Sequence, residues 1–243
     1  MNYDCTPESP FDYDSIPVGY YDLVFQRRRG VQSKWHHLKF GHVPREFSSG
    51  ALHLDIGCGP GTFISTLPGG IDSTGVDIAA RQVEYARRLY GERAKKFEVT
   101  APGRLSFPPN SFDIVTMLEL VEHISVSEAE LLLAEVFRVL RPQGKLVMTT
   151  PNYASLWPLL EYLVDRLGGV AYAEQHITKY VASHLKSLLA RAGFEDVQVK
   201  TCLFSAPLLA TLSWSLADWM DRWESALASK GIGHLLIATA YKR

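Results

Sequence analysis

Apolar positions along the chain switch repeatedly between two periods, one of strands and one of helices. The run from Leu52 to Ile56 has the character of a short buried strand, and Gly75-Val76-Asp77-Ile78 reads as the end of a second. From Ile78 to Gly91 the residues Val83, Ala86, Leu89 and Tyr90 share one helical face, which predicts a helix. Phe97 to Val99 suggests a short third strand. Ser127 with Glu130 three residues later has the form of a capping box and predicts a helix carrying Leu131, Leu132, Ala134, Val136, Phe137 and Leu140. Tyr180 to Ala192 predicts another helix, stopped by Gly193. Glu195 to Lys200 then alternates as a strand, and Ile232 to Tyr241 supplies the last one. Strands alternating with helices predict an α/β fold built on a largely parallel sheet with helices on both faces.

Two segments exceed what such a fold needs. In Tyr153 to Lys179, Leu156, Leu160, Leu163 and Leu167 recur at spacings of four, three and four; in Cys202 to Lys230, Leu208, Leu212, Leu216, Trp219, Met220 and Trp223 make a second helical stripe. Both are amphipathic by pattern, and such a stripe ordinarily packs on its own protein and completes the core. Neither is a membrane span, because Asp165 and Arg166 interrupt the first, and Pro207, Ser213, Ser215, Asp218 and Asp221 the second. Ligands of open α/β sheets bind beyond the carboxyl ends of the strands, where both segments depart, so they should roof the site. An apolar roof suits an apolar ligand, or a helix resting on a membrane surface.

After Ile56 comes Gly57-Cys58-Gly59-Pro60-Gly61-Thr62-Phe63, a glycine-rich turn that opens a helix. A glycine lacks a β-carbon, so the backbone can turn tightly and approach a bound molecule closely. A dinucleotide fingerprint would need glycine at Thr62 or Ile64, and a P-loop would need Gly-Lys-Ser/Thr; neither is present. What remains is a glycine loop for a ligand without phosphates. Asp77 occupies the place at which a Rossmann-like unit sets an acid to accept ribose hydroxyls.

Asp55, Gly57, Gly59, Gly61 and Asp77 together resemble the cofactor motifs of the class I S-adenosylmethionine-dependent methyltransferases. Ser111-Phe112-Asp113-Ile114-Val115-Thr116-Met117 is similar to that family's fourth strand. Glu119-Leu120-Val121-Glu122-His123-Ile124 resembles the Glu-His stretch that follows it in the type 11 branch, which includes the ubiquinone-biosynthesis O-methyltransferases. Arg138 to Asn152 is similar to the helix end, turn and fifth strand. Residues 50 to 152 match in order and spacing. The resemblance implies a Rossmann-like, doubly wound, mostly parallel seven-stranded sheet with an antiparallel last strand. Residues 1–47 would then be an N-terminal extension and helical cap, and residues 48–243 the methyltransferase domain, with lid insertions at about 153–179 and 202–230.

By the same resemblance, S-adenosylmethionine is the cofactor and S-adenosylhomocysteine its product. The backbone from Asp55 through Gly57, Cys58 and Gly59 to Gly61 would face the methionine part, Asp77 the ribose and Ile78 an adenine face, with Met117, Leu118 and Glu119 completing the wall. Many relatives carry an acid after the third strand to bind the adenine amino group; here the stretch is Thr100-Ala101-Pro102-Gly103-Arg104, so Thr100 or a backbone carbonyl would substitute. His123 and His176 are candidate general bases, since imidazole titrates near neutral pH; the alternative for Glu122-His123 is to order the loop and cap the next helix. Tyr20, Trp35 and His36, with Tyr153, Trp157 and Tyr180, are the candidate substrate-facing residues, and Lys39 is placed to meet a carboxylate.

Composition narrows the reading further. The chain of 243 residues is 47% apolar, enough for a substantial core, and its formal net charge of −1 gives no basic field for nucleic acid. Three scattered cysteines, Cys5, Cys58 and Cys202, argue against a disulfide framework and for a reducing cytoplasm. No Cys-x-x-Cys or His-Glu-x-x-His pair appears, so no metal is expected. The first 15 residues, polar and acidic, look loosely ordered and contain no apolar signal region. The expectation is therefore methyl transfer, at oxygen, to a small or lipid-like acceptor, with peripheral membrane contact as a corollary and oligomeric state open. Transfer to nitrogen or carbon, RNA included given the basic aromatic stretch from Arg27 to Phe40, and a non-catalytic cofactor-binding partner protein are the alternatives.

Overall fold

The computed structural model of the protein describes residues 16–43, 47, 49–92, 95–167, 175–225 and 231–243. The expectations for residues 1–15, Cys5 among them, lie outside the described residues, as do the side chains of Leu163 and Leu167. Two helices open the described chain, α1 (Tyr20–Gln26) and α2 (Gly30–His42). Then follow β1 (Leu52–Ile56), α3 (Thr62–Ser65), β2 (Asp72–Asp77), α4 (Ala80–Tyr90), β3 (Lys95–Val99) and β4 (Phe112–Leu118). The second half runs α5 (Val126–Val139), β5 (Leu140–Pro151), α6 (Trp157–Leu167), α7 (Ala182–Arg191), β6 (Glu195–Cys202), α8 (Ala206–Leu209), α9 (Trp214–Ser225) and β7 (Leu235–Tyr241).

The strands form one seven-stranded sheet in the order β3-β2-β1-β4-β5-β7-β6. β1 to β5 pair in parallel, and β7 alone runs antiparallel to both its neighbours. The order reverses between β1 and β4, the switch point at which a doubly wound sheet opens a crevice beyond its strand ends. Both faces are covered, which is why the central strands are apolar throughout: Leu54, Val115, Leu146 and Met148 are fully buried. One core joins the sheet to α5 and α7, and a second gathers Leu38 and Phe40 of α2, Phe63 of α3 and Ala206 of α8. The cap is tied down by a carboxylate: buried Asp22 of α1 accepts hydrogen bonds from the hydroxyls of Thr62, Tyr85 and Tyr90.

Several boundaries differ from the sequence reading, each for a local reason. The capping box of α5 is Ser125 with Glu128, two residues earlier than Ser127 with Glu130; Ser125 takes the extended conformation and accepts from the Glu128 amide, and the Glu128 carboxylate accepts from the Ser125 amide. Ser127 is already helical, and Glu130 is spent on an exposed pair with Arg191. Leu131 and Ala134 consequently face solvent while Leu133 joins the buried face. Leu89 of α4 is likewise exposed. Tyr180 precedes α7, buried in the main core, and Ile232 to His234 precede β7.

The second inserted stripe breaks into α8 and α9, and the expectation that it completes the core is not met. Leu212 is 77% exposed, Trp219 51% and Trp223 61%; of this stripe, Met220 is the member that packs on a core. Beside Ala217 and Met220, the protein side of α9 carries acidic residues. Asp218 meets the Lys34 ammonium at 2.6 Å, Asp221 meets His42 at 2.8 Å, and Glu224 accepts from the amides of Phe204, Ser205 and Ala206 at the start of α8. In the first insert, Leu156 is exposed and Leu160 faces the crevice. Among the described residues no helix is long and apolar enough to cross a membrane.

Candidate active site

The turn after β1 is held by β2. The amides of Gly57 and Cys58 both donate to the Val76 carbonyl, at 2.8 and 3.1 Å. At the last residue of β2, the Asp77 carboxylate accepts from the Gly59 amide at 2.8 Å and from the Ala79 amide at 2.9 Å, locking the turn to the entry of α4. Gly59 has φ 50°, and a β-carbon there would meet nothing within 4 Å because the position faces open space. At Gly61 (φ 78°) a β-carbon would sit 2.8 Å from the Phe97 ring and 3.0 Å from Ala86, so this glycine serves packing.

The turn forms one wall of a cavity of about 1300 Å³ beyond the strand ends. Of the residues singled out from sequence, Asp55, Gly57, Cys58, Gly59, Asp77, Ile78, Thr100, Leu118, Glu119, His123, His176, Tyr20, Trp35, His36 and Trp157 all line it. Gly61, Met117, Tyr153 and Tyr180 are not part of its wall: Met117 is buried within β4, and Tyr180 lies in the main core. The Thr100 hydroxyl donates to the Arg104 carbonyl at 3.0 Å, so towards the cavity it has lone pairs to offer.

Beneath the turn runs a buried polar chain. The Thr116 hydroxyl donates to Asp55 Oδ1 at 2.5 Å, so it must accept from His53 Nε2, 2.8 Å away; His53 Nδ1 then accepts from the Ser73 hydroxyl at 3.1 Å. Burial pushes the Asp55 pKa up to about 7 and drops that of His53 to about 3. On the opposite wall Glu119, at φ 53°, pairs with Lys39 of α2 and accepts from Trp35 Nε1 at 3.2 Å. Burial alone would raise the Glu119 pKa, but the Lys39 charge holds it below its usual value. Burial, reinforced by Lys39, takes His36 down to about 3.

The two candidate bases meet because the segment before α7 is strapped to the turn after β4. The Thr178 amide donates to the Glu122 carbonyl and the Thr178 hydroxyl to the Ile124 carbonyl, at 3.0 and 2.7 Å. The His123 and His176 rings then lie 5.1 Å apart. His123 Nδ1 donates to the Gln175 carbonyl at 3.0 Å, which leaves Nε2 as its basic nitrogen; burial, with the nearby His176, lowers its pKa to about 4. His176 Nδ1 lies 2.5 Å from Glu161 Oε1, an oxygen that also accepts from Tyr153 Oη at 2.8 Å and Trp157 Nε1 at 3.3 Å. Burial opposes a charged His176, yet the Glu161 hydrogen bond and the surrounding carboxylates outweigh it and raise its pKa. Glu122 is fully buried, neither oxygen has a hydrogen-bond partner among the described residues, and burial with the Glu119 charge pushes its pKa to about 8. Ligand atoms of Glu122, His123 and His176 lie within 4.8 Å of one another, a grouping drawn from segments too distant for a local motif to announce.

Sequence reasoning missed Glu161, His53 and Thr116. Glu161 stands between Leu160 and Tyr162 in a helix otherwise read for its leucines, and His53 interrupts the apolar run of β1; in each case an ionisable residue inside an apolar pattern was the available signal.

Three comparisons bear on this arrangement. The family described as a methyltransferase domain matches residues 28–199. A 2-methyl-6-phytyl-1,4-hydroquinone methyltransferase of Synechocystis is 27% identical over 237 residues, covering 90% of this chain and 69% of its own. A ubiquinone biosynthesis O-methyltransferase of Idiomarina loihiensis is 29% identical over 159 residues, covering 63% of this chain and 65% of its own. Among solved structures, an S-adenosylmethionine-dependent methyltransferase of Thermotoga maritima, titled a possible histamine N-methyltransferase, superposes with a TM-score of 0.69 at 18% identity, over 95% of this chain and 98% of its own.

Proposed function

This chain belongs to the methyltransferase-domain family of class I S-adenosylmethionine-dependent enzymes, and on that premise we propose that it methylates an oxygen of a small, lipid-like acceptor. The observation that carries the reading is the Glu161–His176 pair on the wall of a cavity that Tyr20, Trp35, Leu120, Trp157, Leu160 and Leu208 also line. The turn from Asp55 to Gly59, with Asp77, Ile78, Thr100 and Leu118, would hold the cofactor, and the open space at Gly59 fits a ligand placed against the backbone. When bound there, S-adenosylmethionine supplies a methyl group already activated by a sulfonium.

The protein's own work is orientation, exclusion of water and removal of a proton. Orientation in a closed site is worth on the order of 7 to 11 kcal/mol in favourable cases. Trp35 and Trp157, tilted against each other at 5.2 Å, close the cavity between the cap and α6. Glu161 accepts the hydrogen of His176 Nδ1, so His176 Nε2 is the nitrogen that takes the acceptor's hydroxyl proton, and the resulting imidazolium is stabilised by Glu161. His123 accepts at Nε2 and orients a second polar group of the acceptor. Residues 1–47 act as the cap, and the segments at about 153–179 and 202–230 as lids.

His176→Ala tests this: kcat should fall by about a hundred- to ten-thousandfold while S-adenosylhomocysteine binds as before. Unchanged turnover in that variant removes His176 as base. A second reading, transfer to nitrogen, is favoured by the acidic side chains Glu119, Glu122 and Glu161 on the cavity wall, since a cationic amine there would draw Glu122 into its ionised form. The atom bearing the transferred methyl, identified by mass spectrometry, separates the two.

A further inference from the structure

Helix α9 is turned inside out. Lys34, 2% exposed, reaches it from α2 to meet Asp218, while Asp221 meets His42 and Glu224 turns to the α8 amides. Ala217 is buried on the same side. Leu216, Trp219 and Trp223, at spacings of three and four, occupy the outer side, and exposed Leu212 extends their line by one turn. A helix that spends its carboxylates on its own protein and holds leucine and tryptophan outward is built for an apolar contact.

Two further features say what that contact is. At the α8 end the stripe runs into the cavity mouth, because Leu208 is both exposed and part of the cavity wall, beside Phe204 and Pro207. At the start of α9, Trp214 packs edge-on against His37, and the Phe25 carbonyl that lies 3.0 Å from His37 Nε2 also accepts from the Arg28 amide at 3.4 Å. Arg28 belongs to the exposed run Arg27-Arg28-Arg29 between α1 and α2, none of which has an ion-pair partner among the described residues. Cations beside an exposed row of leucine and tryptophan match the acyl boundary and headgroups of an anionic bilayer, where tryptophan is at home.

We propose that the outer face of α9, from Leu212 to Trp223, docks on an anionic membrane with Arg27 to Arg29 on the headgroups, setting the cavity mouth at Leu208 against the lipid from which the acceptor enters. The entry route rests on the lipid-like acceptor argued above; docking itself does not.

Co-sedimentation of the full chain with sucrose-loaded vesicles reads docking without methyl transfer. Binding should be strong on phosphatidylcholine with phosphatidylglycerol, weaker on phosphatidylcholine alone, and accompanied by a blue shift of tryptophan emission. The triple variant Leu212→Ser, Trp219→Ser, Trp223→Ser should lose about tenfold or more in vesicle affinity. Arg28→Glu with Arg29→Glu should remove the preference for phosphatidylglycerol. Both variants should bind S-adenosylhomocysteine as the parent does, which establishes that they are folded. Absence of vesicle binding by the parent, or equal binding by the triple variant, overturns the proposal. So does a parent dimer that the triple variant dissolves without any vesicle binding, since the face then joins two copies. Docking without oxygen methylation would sink the acceptor assignment alone, and methylation without docking the membrane assignment alone.

Discussion

At the scale of single residues, the site is governed by which carboxyl and imidazole groups keep their protons. Asp55 has its pKa raised by burial from 3.8 to about 7. The folded chain therefore binds that proton more tightly than the unfolded chain does, and this group's contribution to stability is lost as pH rises from about 4 to 7. A cationic ligand beside Asp55 favours the ionised form, so affinity for S-adenosylmethionine should weaken as pH falls through about 7, and Asp55→Asn should flatten that dependence in calorimetric titration. His176 is shifted the same way for a different reason, the Glu161 hydrogen bond overcoming burial. Activity that needs neutral His176 should rise with pH through its pKa. In Glu161→Gln the rise should move to lower pH and kcat should fall, as expected of a positioning residue; an unmoved profile would show that Glu161 only packs. Asp55 and His176 were legible in the sequence as candidate site residues, but the groups that set their protonation were not. Glu161, the partner of His176, comes from an inserted helix, and only the strap from Thr178 to Glu122 and Ile124 brings His176 beside His123.

At the scale of elements, the glycine turn was the most legible part of the chain, because a backbone that must approach a ligand and a helix that must pack on β3 leave glycine as the residue that fits. The structure divides those duties. Gly59→Val points a side chain into open space but forces a β-branched residue to hold φ 50°, so it should lower the melting temperature as well as block the cofactor; retained affinity in the folded variant would sink the binding mode. Gly61→Ala drives a methyl against Phe97 and Ala86 and should destabilise the fold by about 1–3 kcal/mol, read by denaturant unfolding. The start of α5 was read two residues late because two Ser-x-x-Glu spacings overlap there, and periodicity does not say which serine is extended. In α9 the amphipathic pattern was real but its direction was reversed. A hydrophobic stripe normally marks the buried side, and only the partners Lys34, His42 and the α8 amides, all distant in sequence, reveal that the polar side faces inward. Glu224→Ala leaves three amides without their acceptor and should destabilise the protein by about 1–3 kcal/mol.

At the scale of the whole molecule, the sheet order puts the β1 and β4 ends side by side, and everything chemical is gathered over that switch point. The proposed cofactor wall is drawn from β1, β2 and β4, which were legible because local motifs record them. The proposed acceptor wall draws on α2, α6 and α8, whose sequences carry no comparable motif: Trp35, Lys39 and Trp157 were legible as candidates, but the pairing of Lys39 with Glu119 and of Trp35 with Trp157 is made only by the fold. The measurement that tests the central claim most directly is transfer of labelled methyl from S-adenosylmethionine to a hydroquinone bearing an alkyl chain, with the product's methylated atom assigned by mass spectrometry. The account predicts a methyl ether, formed by the parent and lost in His176→Ala. A methyl on carbon or nitrogen, or no transfer to any acceptor by protein that binds the cofactor, would contradict it.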